Sequence, residues 1–307
     1  MKHSHHADHH HRQDLNGRKL LWVTLLNFSI TIVQVVGGLV SNSLSLLSDA
    51  LHNLGDSLAI FIAFLAGKRS RKQADKQHTF GYKRIEILAA FFNGIVLIAI
   101  CLYLFIEAYE RFIDPQPIRG GIMLLIASFG LLANLLSVLV LNKDKDENLN
   151  IKAAYMHLLG DTLSSVAVII GGLAIWKFNI VWIDPLITIL VGIYIIYHTW
   201  GIVRQTIDIL MQAAPAHLNL TEVKKAIESI KLVDNIHHIH AWKLDDSQVH
   251  FEAHINLKEN MDMLKLMEVR LEIENLLQHQ FEVNHITLQM GYDCCNGNNE
   301  LINKQHS

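Results

Sequence analysis

Cysteine, proline and charge are all scarce in this chain of 307 residues, which has three cysteines, four prolines and only 18% Asp, Glu, Lys and Arg. Cys101 sits alone in an apolar run, and Cys294 and Cys295 are neighbours near the C-terminus. That pattern excludes a disulfide framework and points to reduced thiols. With a formal net charge of −3 and a pI near 6.7, the chain has no basic domain and no basic stripe interleaved with aromatics, which argues against a nucleic-acid partner. The opening MKHSHHADHHHRQDLNGRK has neither an apolar core nor a small-residue cleavage site, so no signal peptide is expected. No span contains H-E-x-x-H, the helix motif of a hydrolytic zinc site.

Apolar residues are what the chain has instead: 51% of the total, with a mean hydropathy of +0.26, concentrated before about residue 211. Crossing a hydrocarbon core of about 30 Å takes about 20 helical residues. Six stretches qualify: 19–40, 44–66, 86–110, 118–141, 151–177 and 182–209. Six spans put both termini on one side. Lys68, Arg69, Arg71, Lys72, Lys76, Lys83 and Arg84 join the second span to the third, and Lys143, Lys145 and Lys152 join the fourth to the fifth. The opposite connections are nearly bare of cations, so the positive-inside rule places both termini in the cytoplasm.

Within the spans, Gly37, Gly38, Gly171, Gly172 and Gly192 read as close-packing positions, and Asn27, Gln34, Asn93, Asn134 and Ser137 as polar contacts between helices. Asp184 with Pro185 reads as a carboxylate and proline in the first turn of the sixth span. Beyond Pro215 the pattern becomes that of a water-soluble domain. An amphipathic helix over Glu222 to Ile230 with Thr221 as N-cap is followed by alternating strands at Ile236 to Leu244 and Val249 to Leu257. A helix from Met263 to Phe281 and a strand from Val283 to Met290 complete it. The fold class is therefore an all-α six-helix transmembrane bundle followed by an α+β domain of order αββαβ, two helices against a three-stranded sheet. Domain limits are a His-rich disordered tail at 1–18, the membrane domain at 19–211, the cytoplasmic domain at 212–292 and a C-terminal tail at 293–307. The tail's His3, His5, His6, His9, His10 and His11 are spaced for weak metal buffering or for simple solvation.

The second span keeps Asp49, His52, Asn53 and Asp56 in apolar surroundings, an expensive placement that points to a bundle interior and to transport or relay chemistry. His52 and Asp56 are four residues apart on one helix face. His157 and Asp161 repeat the spacing in the fifth span. Two imidazoles and two carboxylates suit a tetrahedral divalent ion such as zinc, and the carboxylates offset its charge in a low-dielectric interior. Four protein ligands leave no open position, so the site reads as a carrier and not as a catalytic centre. Asp49, three residues before His52, lines an exit or pairs with another helix.

These stretches, SLSLLSDALHNLGD, HTFGYKRIEILAAFFNG and AAYMHLLGDTLSSVAVIIGG, are where the chain resembles the cation diffusion facilitator family, in its bacterial zinc, cobalt and cadmium efflux branch, which is also similar to animal zinc transporters. The resemblance implies a homodimer of six-span protomers in a lipid bilayer, the bacterial inner membrane, with a metallochaperone-like cytoplasmic domain. It further implies export of zinc by alternating access in exchange for protons, with His52, Asp56, His157 and Asp161 as the transport site. Asp75 and His78 match an interfacial loop site whose third position is Tyr82. Arg84 matches a basic residue of a charge interlock whose acidic position falls on Met211, with Asp208 one turn earlier. In the cytoplasmic domain His240, His254 and His285 resemble regulatory zinc ligands, His237, His238 and His250 are extra candidates, and Gly291 stands where an acid is usual, leaving Asp293, Cys294 or Cys295 to supply it. A cobalt, cadmium, iron or manganese exporter is the alternative within the class, and a membrane metal sensor the alternative outside it.

Overall fold

The computed structural model describes residues 27–70, 74–142 and 149–292, without the side chains of 59–61, 63–70, 149–154 and 157. The N-terminal histidine tract, Asp293, Cys294 and Cys295 lie outside the described residues. Among the described residues six helices come first: α1 (Asn27–Ser41), α2 (Leu44–Ser70), α3 (Arg84–Ile113), α4 (Gly120–Asn142), α5 (Leu149–Phe178) and α6 (Ile183–Leu210). In hydrocarbon every backbone polar group must be satisfied within its own segment, and a helix does that. Among the described residues four helices are long and apolar enough to cross a membrane, namely α3, α4, Leu158–Phe178 of α5, and α6. Their outward flanks carry exposed Phe92, Tyr103, Leu163 and Tyr197, an apolar skin that suits lipid.

Two compact units divide the chain. One is drawn from the described residues up to Phe64 and from Phe92–Val203, the other from Leu65–Phe91 and from Arg204 onward. In the first, Leu46, Met123, Val168 and Ile195 are among the fully enclosed side chains of a core shared by α2, α4, α5 and α6, with the free Cys101 of α3 packed among them. Close approach needs small residues: the Cα of Leu47 lies 3.1 Å from where a Cβ on Gly38 would stand. The reversal between α1 and α2 is clamped by Arg111, which donates to the Asn42 carbonyl at 2.6 Å and to its side-chain oxygen at 3.0 Å.

The second unit holds α7 (Leu220–Glu228), β1 (Val233–Lys243), β2 (Val249–Leu257), α8 (Met263–Phe281) and β3 (His285–Tyr292), in the expected order αββαβ. Strand β1 pairs antiparallel with β2, and β3 pairs parallel with β2 on its other side. Val223 and Ile227 of α7 and Val269, Ile273 and Leu277 of α8 bury against Phe251, Ala253 and Ile255 of β2, so the sheet's apolar alternation faces the helices. The cap of α7 differs from expectation. Asn219, not Thr221, accepts from the Thr221 and Glu222 backbone amides while its side-chain Nδ2 donates to Glu222 Oε1 at 3.1 Å, an N-cap that starts the helix two residues early.

Candidate metal centre

Helix α2 carries a polar stripe because Asp49, His52, Asn53 and Asp56 recur at three- and four-residue steps. His52 Nε2 lies 3.4 Å from Asp56 Oδ2 on its own helix and 3.6 Å from Asp161 Oδ1 on α5. One ligand atom from each of the three falls within 4.8 Å of the others, and no other such group of histidine, cysteine or carboxylate occurs among the described residues. The site is enclosed: His52 is 9% exposed and Asp161 2%. His157 lies on α5 one turn before Asp161, and its side chain is outside the described residues. The structure thus brings His52 and Asp56 of α2 together with Asp161 of α5.

Asp49 has a different task. Its carboxylate accepts from Gln34 Nε2 of α1 at 3.1 Å and from Ser164 and Ser165 of α5 at 2.6 and 3.4 Å, and Asn134 of α4 reaches Ser165 at 3.5 Å. One buried acid therefore ties four helices together just above the histidine. Asp184 is also spent on structure, though not on the helix that carries it: it accepts from Ser43 Oγ, Leu44 N, Ser45 N and Ser45 Oγ at 2.6 to 3.2 Å, capping α2 from α6. Of two further neighbours of the site, Tyr194 carries no motif that would reveal it, whereas Asn53 belongs to the polar set of the second span. Tyr194 of α6 brings its hydroxyl within 2.7 Å of the Cβ position of Gly160, next to Asp161. Asn53 is buried with neither amide atom hydrogen-bonded among the described residues.

In the loop before α3, Asp75 and His78 meet as expected, with Oδ1 to Nδ1 at 3.3 Å, and Tyr82 closes the group by donating to Asp75 Oδ2 at 2.7 Å. That hydrogen bond, and the backbone amide of His78, hold the Asp75 carboxyl well below the usual carboxylate range. Both oxygens are already engaged by protein donors.

The expected trio His240, His254 and His285 is not assembled. His254 stands opposite His237 on β1 and Gln289 on β3, whereas His285 is the partner of His250. Four strand residues, about 13 Å, separate His285 from the level of His254. Instead the helix-free sheet face carries two groups: His254 with the rings of His237 at 5.5 Å and His238 at 4.7 Å, and His250 with His285 at 4.7 Å. A bulge at His238, whose φ is 54°, sets the first group. His237 Nδ1 faces Asn235 Oδ1 at 2.8 Å, while its buried Nε2 has no hydrogen-bond partner. Burial, and then neighbouring histidines, push the His237, His250 and His254 imidazoles below their ordinary range, which keeps them neutral and able to ligate.

Residues 20–211 match the family model for a cation efflux transmembrane domain, and residues 215–291 that for a cation efflux protein's cytoplasmic domain. Zinc transporter ZitB of Escherichia coli is 38% identical over 300 residues, 97% of this chain and 95% of its own length. A cadmium, cobalt and zinc/H(+)-K(+) antiporter of Bacillus subtilis is 34% identical over 296 residues, 96% of this chain and 95% of its own. The metal cation efflux system protein CzcD of Cupriavidus metallidurans is 34% identical over 280 residues, 91% and 88% respectively.

Proposed function

This chain belongs to the cation efflux family, and from that premise we propose that it exports divalent metal, zinc first, from the cytosol in exchange for protons. The carrying observation is the convergence of His52, Asp56 and Asp161 in a buried site between α2 and α5. With His157 as fourth ligand, two nitrogens and two carboxylates hold the ion without an open position, so it is carried and not used for hydrolysis. A metal ligand must be a neutral imidazole or an ionised carboxylate, and a proton competes for each. Zinc leaving on the far side frees the same groups to return protons, with His52 and His157 as their carriers. Each helix contributes half of the site, so relative movement of α2 and α5 within the bundle opens it to alternate sides.

Basic loops support cytoplasmic termini in the bacterial inner membrane. The histidine-rich, helix-free face of the sheet supports a homodimer contact there, with a regulatory zinc on His237 and His254. His237 is preferred to His285 because its Nδ1 is fixed by Asn235 and its Nε2 is left for metal. Cobalt and cadmium remain the second reading, because imidazole and carboxylate also accept them and the Bacillus subtilis relative is named for all three ions. The Asp75–His78 pair binds metal weakly at most, since Tyr82 and backbone amides occupy the carboxylate.

In proteoliposomes with an imposed pH gradient, the chain should move zinc, and His52→Ala and Asp161→Asn should each lower flux at least about 100-fold, in line with loss of a ligand from a charged buried site. Undiminished flux in Asp161→Asn, or zinc movement indifferent to the gradient, would falsify the reading.

A further inference from the structure

The loop before α3 and the β1–β2 hairpin enclose a cavity of about 510 Å³. Phe80, Tyr82 and Trp242 form its aromatic wall, Lys83 and Arg84 supply cations, and no carboxylate among the described residues lines it. The two cations are not equally compensated. Lys83 reaches Asp245 at 3.5 Å, an acid that already accepts from the Ser247 and Gln248 amides at 2.8 Å. Arg84 makes no ion pair and no side-chain hydrogen bond among the described residues, and its Nε is fully enclosed. A guanidinium stays protonated at any physiological pH, so one in a half-buried side chain whose Nε is shut off from solvent suits an anion at its remaining nitrogens. Met211, beside the cavity-lining Gln212, offers none and points outward.

The position of the cavity says where that anion comes from. Arg84 is the first residue of α3, a helix apolar enough to cross a membrane, and Leu88, one turn further, lines the same cavity while 41% exposed. Cations and aromatic rings therefore give way to an apolar helix flank in the order in which a phospholipid presents headgroup and acyl chain. Aromatic and basic residues at this depth are the usual anchors of the membrane interface.

We propose that this cavity binds an anionic phospholipid, with Arg84 and Lys83 holding the headgroup phosphate and Leu88 the start of an acyl chain. The lipid then joins the loop to the β1–β2 hairpin. Purified full-length protein in neutral detergent, titrated with phosphatidylglycerol, phosphatidylcholine or inorganic phosphate and read by native mass spectrometry, tests this. Phosphatidylglycerol should be retained about tenfold more tightly than phosphatidylcholine, because both present a phosphodiester but the choline ammonium of the second would stand against Lys83 and Arg84. Arg84→Gln should erase that preference, Arg84→Lys should restore part of it, and Lys231→Gln, an exposed cation elsewhere, should leave it intact. A folded Arg84→Gln protein that keeps the preference overturns the proposal. Displacement of the lipid by an equal concentration of inorganic phosphate overturns the lipid assignment in favour of a soluble anion. Loss of the dimer in Arg84→Gln, with no change in lipid binding, assigns the guanidinium to an acid of a second copy and overturns it as well.

Discussion

Asp184 shows how one buried acid sets a structure without touching the ion. Four donors from Ser43, Leu44 and Ser45 converge on it, and they belong to a helix 140 residues earlier in the chain. An Asp or Asn at that place in α6 reads from sequence as a cap for its own helix, because only local partners are visible there. Removing it leaves two amides, and one of the two serine hydroxyls that lie 3.3 Å apart, buried without an acceptor. Asp184→Ala should therefore destabilise the protein by about 3 kcal/mol, and Asp184→Asn by roughly half as much. Thermal unfolding in detergent measures this, while zinc affinity of the surviving folded fraction should stay unchanged. Asp49 follows the same logic one turn above the site: it was visible as an expensive acid, but its serine and glutamine partners on α5 and α1 were not.

At the scale of elements, helix pairs are positioned by what their glycines allow. A Cβ on Gly120, at the start of α4, would lie 2.7 Å from the backbone nitrogen of Trp176 on α5, whereas one on Gly121 meets only the Trp176 ring edge at 3.4 Å. Backbone cannot step aside as a side chain can. Gly120→Ala should thus cost about 1 to 3 kcal/mol and Gly121→Ala less than about 0.5 kcal/mol, a contrast that paired unfolding midpoints would reveal. Equal midpoints would show that α4 and α5 do not approach so closely. Element type and limits were legible wherever periodicity was long: α8 and β2 fall on the residues expected from pattern alone, because apolar spacing of 3.6 or 2 is itself the cause of burial. Helix α7 starts two residues before the expected position because its cap, Asn219, lies close to a second good capping residue, Thr221.

For the whole molecule, the cytoplasmic sheet should make stability depend on pH. Its apolar core runs from Leu218 to Met290, so the fragment 215–292 should fold alone. His237, His250 and His254 have folded-state values below the ordinary one of about 6.5, through burial first and neighbouring histidines second. On acidification the unfolded chain takes up protons before the folded one does. The stability these groups contribute is present above about pH 6.5 and is lost as pH falls below it. Urea midpoints of the fragment at pH 7.5 and 5.0 should fall with acid, and less so in His250→Gln. A midpoint insensitive to pH would mean that the imidazoles are as free in the folded domain as in the unfolded one.

By itself the sequence determined the helices, the αββαβ domain and the four-residue spacing that sets His52 beside Asp56 on one helix face. Hydropathy and spacing within a single helix or strand are local properties, and they fix which face is buried. Only the tertiary structure decided that Asp161 closes on His52, that Asp49 and Asp184 serve packing, and that His254 meets His237 instead of His285. Those outcomes depend on helix crossing and on strand register with a bulge at His238. Residues distant in the chain then share one low-dielectric space, where an unpaired polar group is too costly to leave.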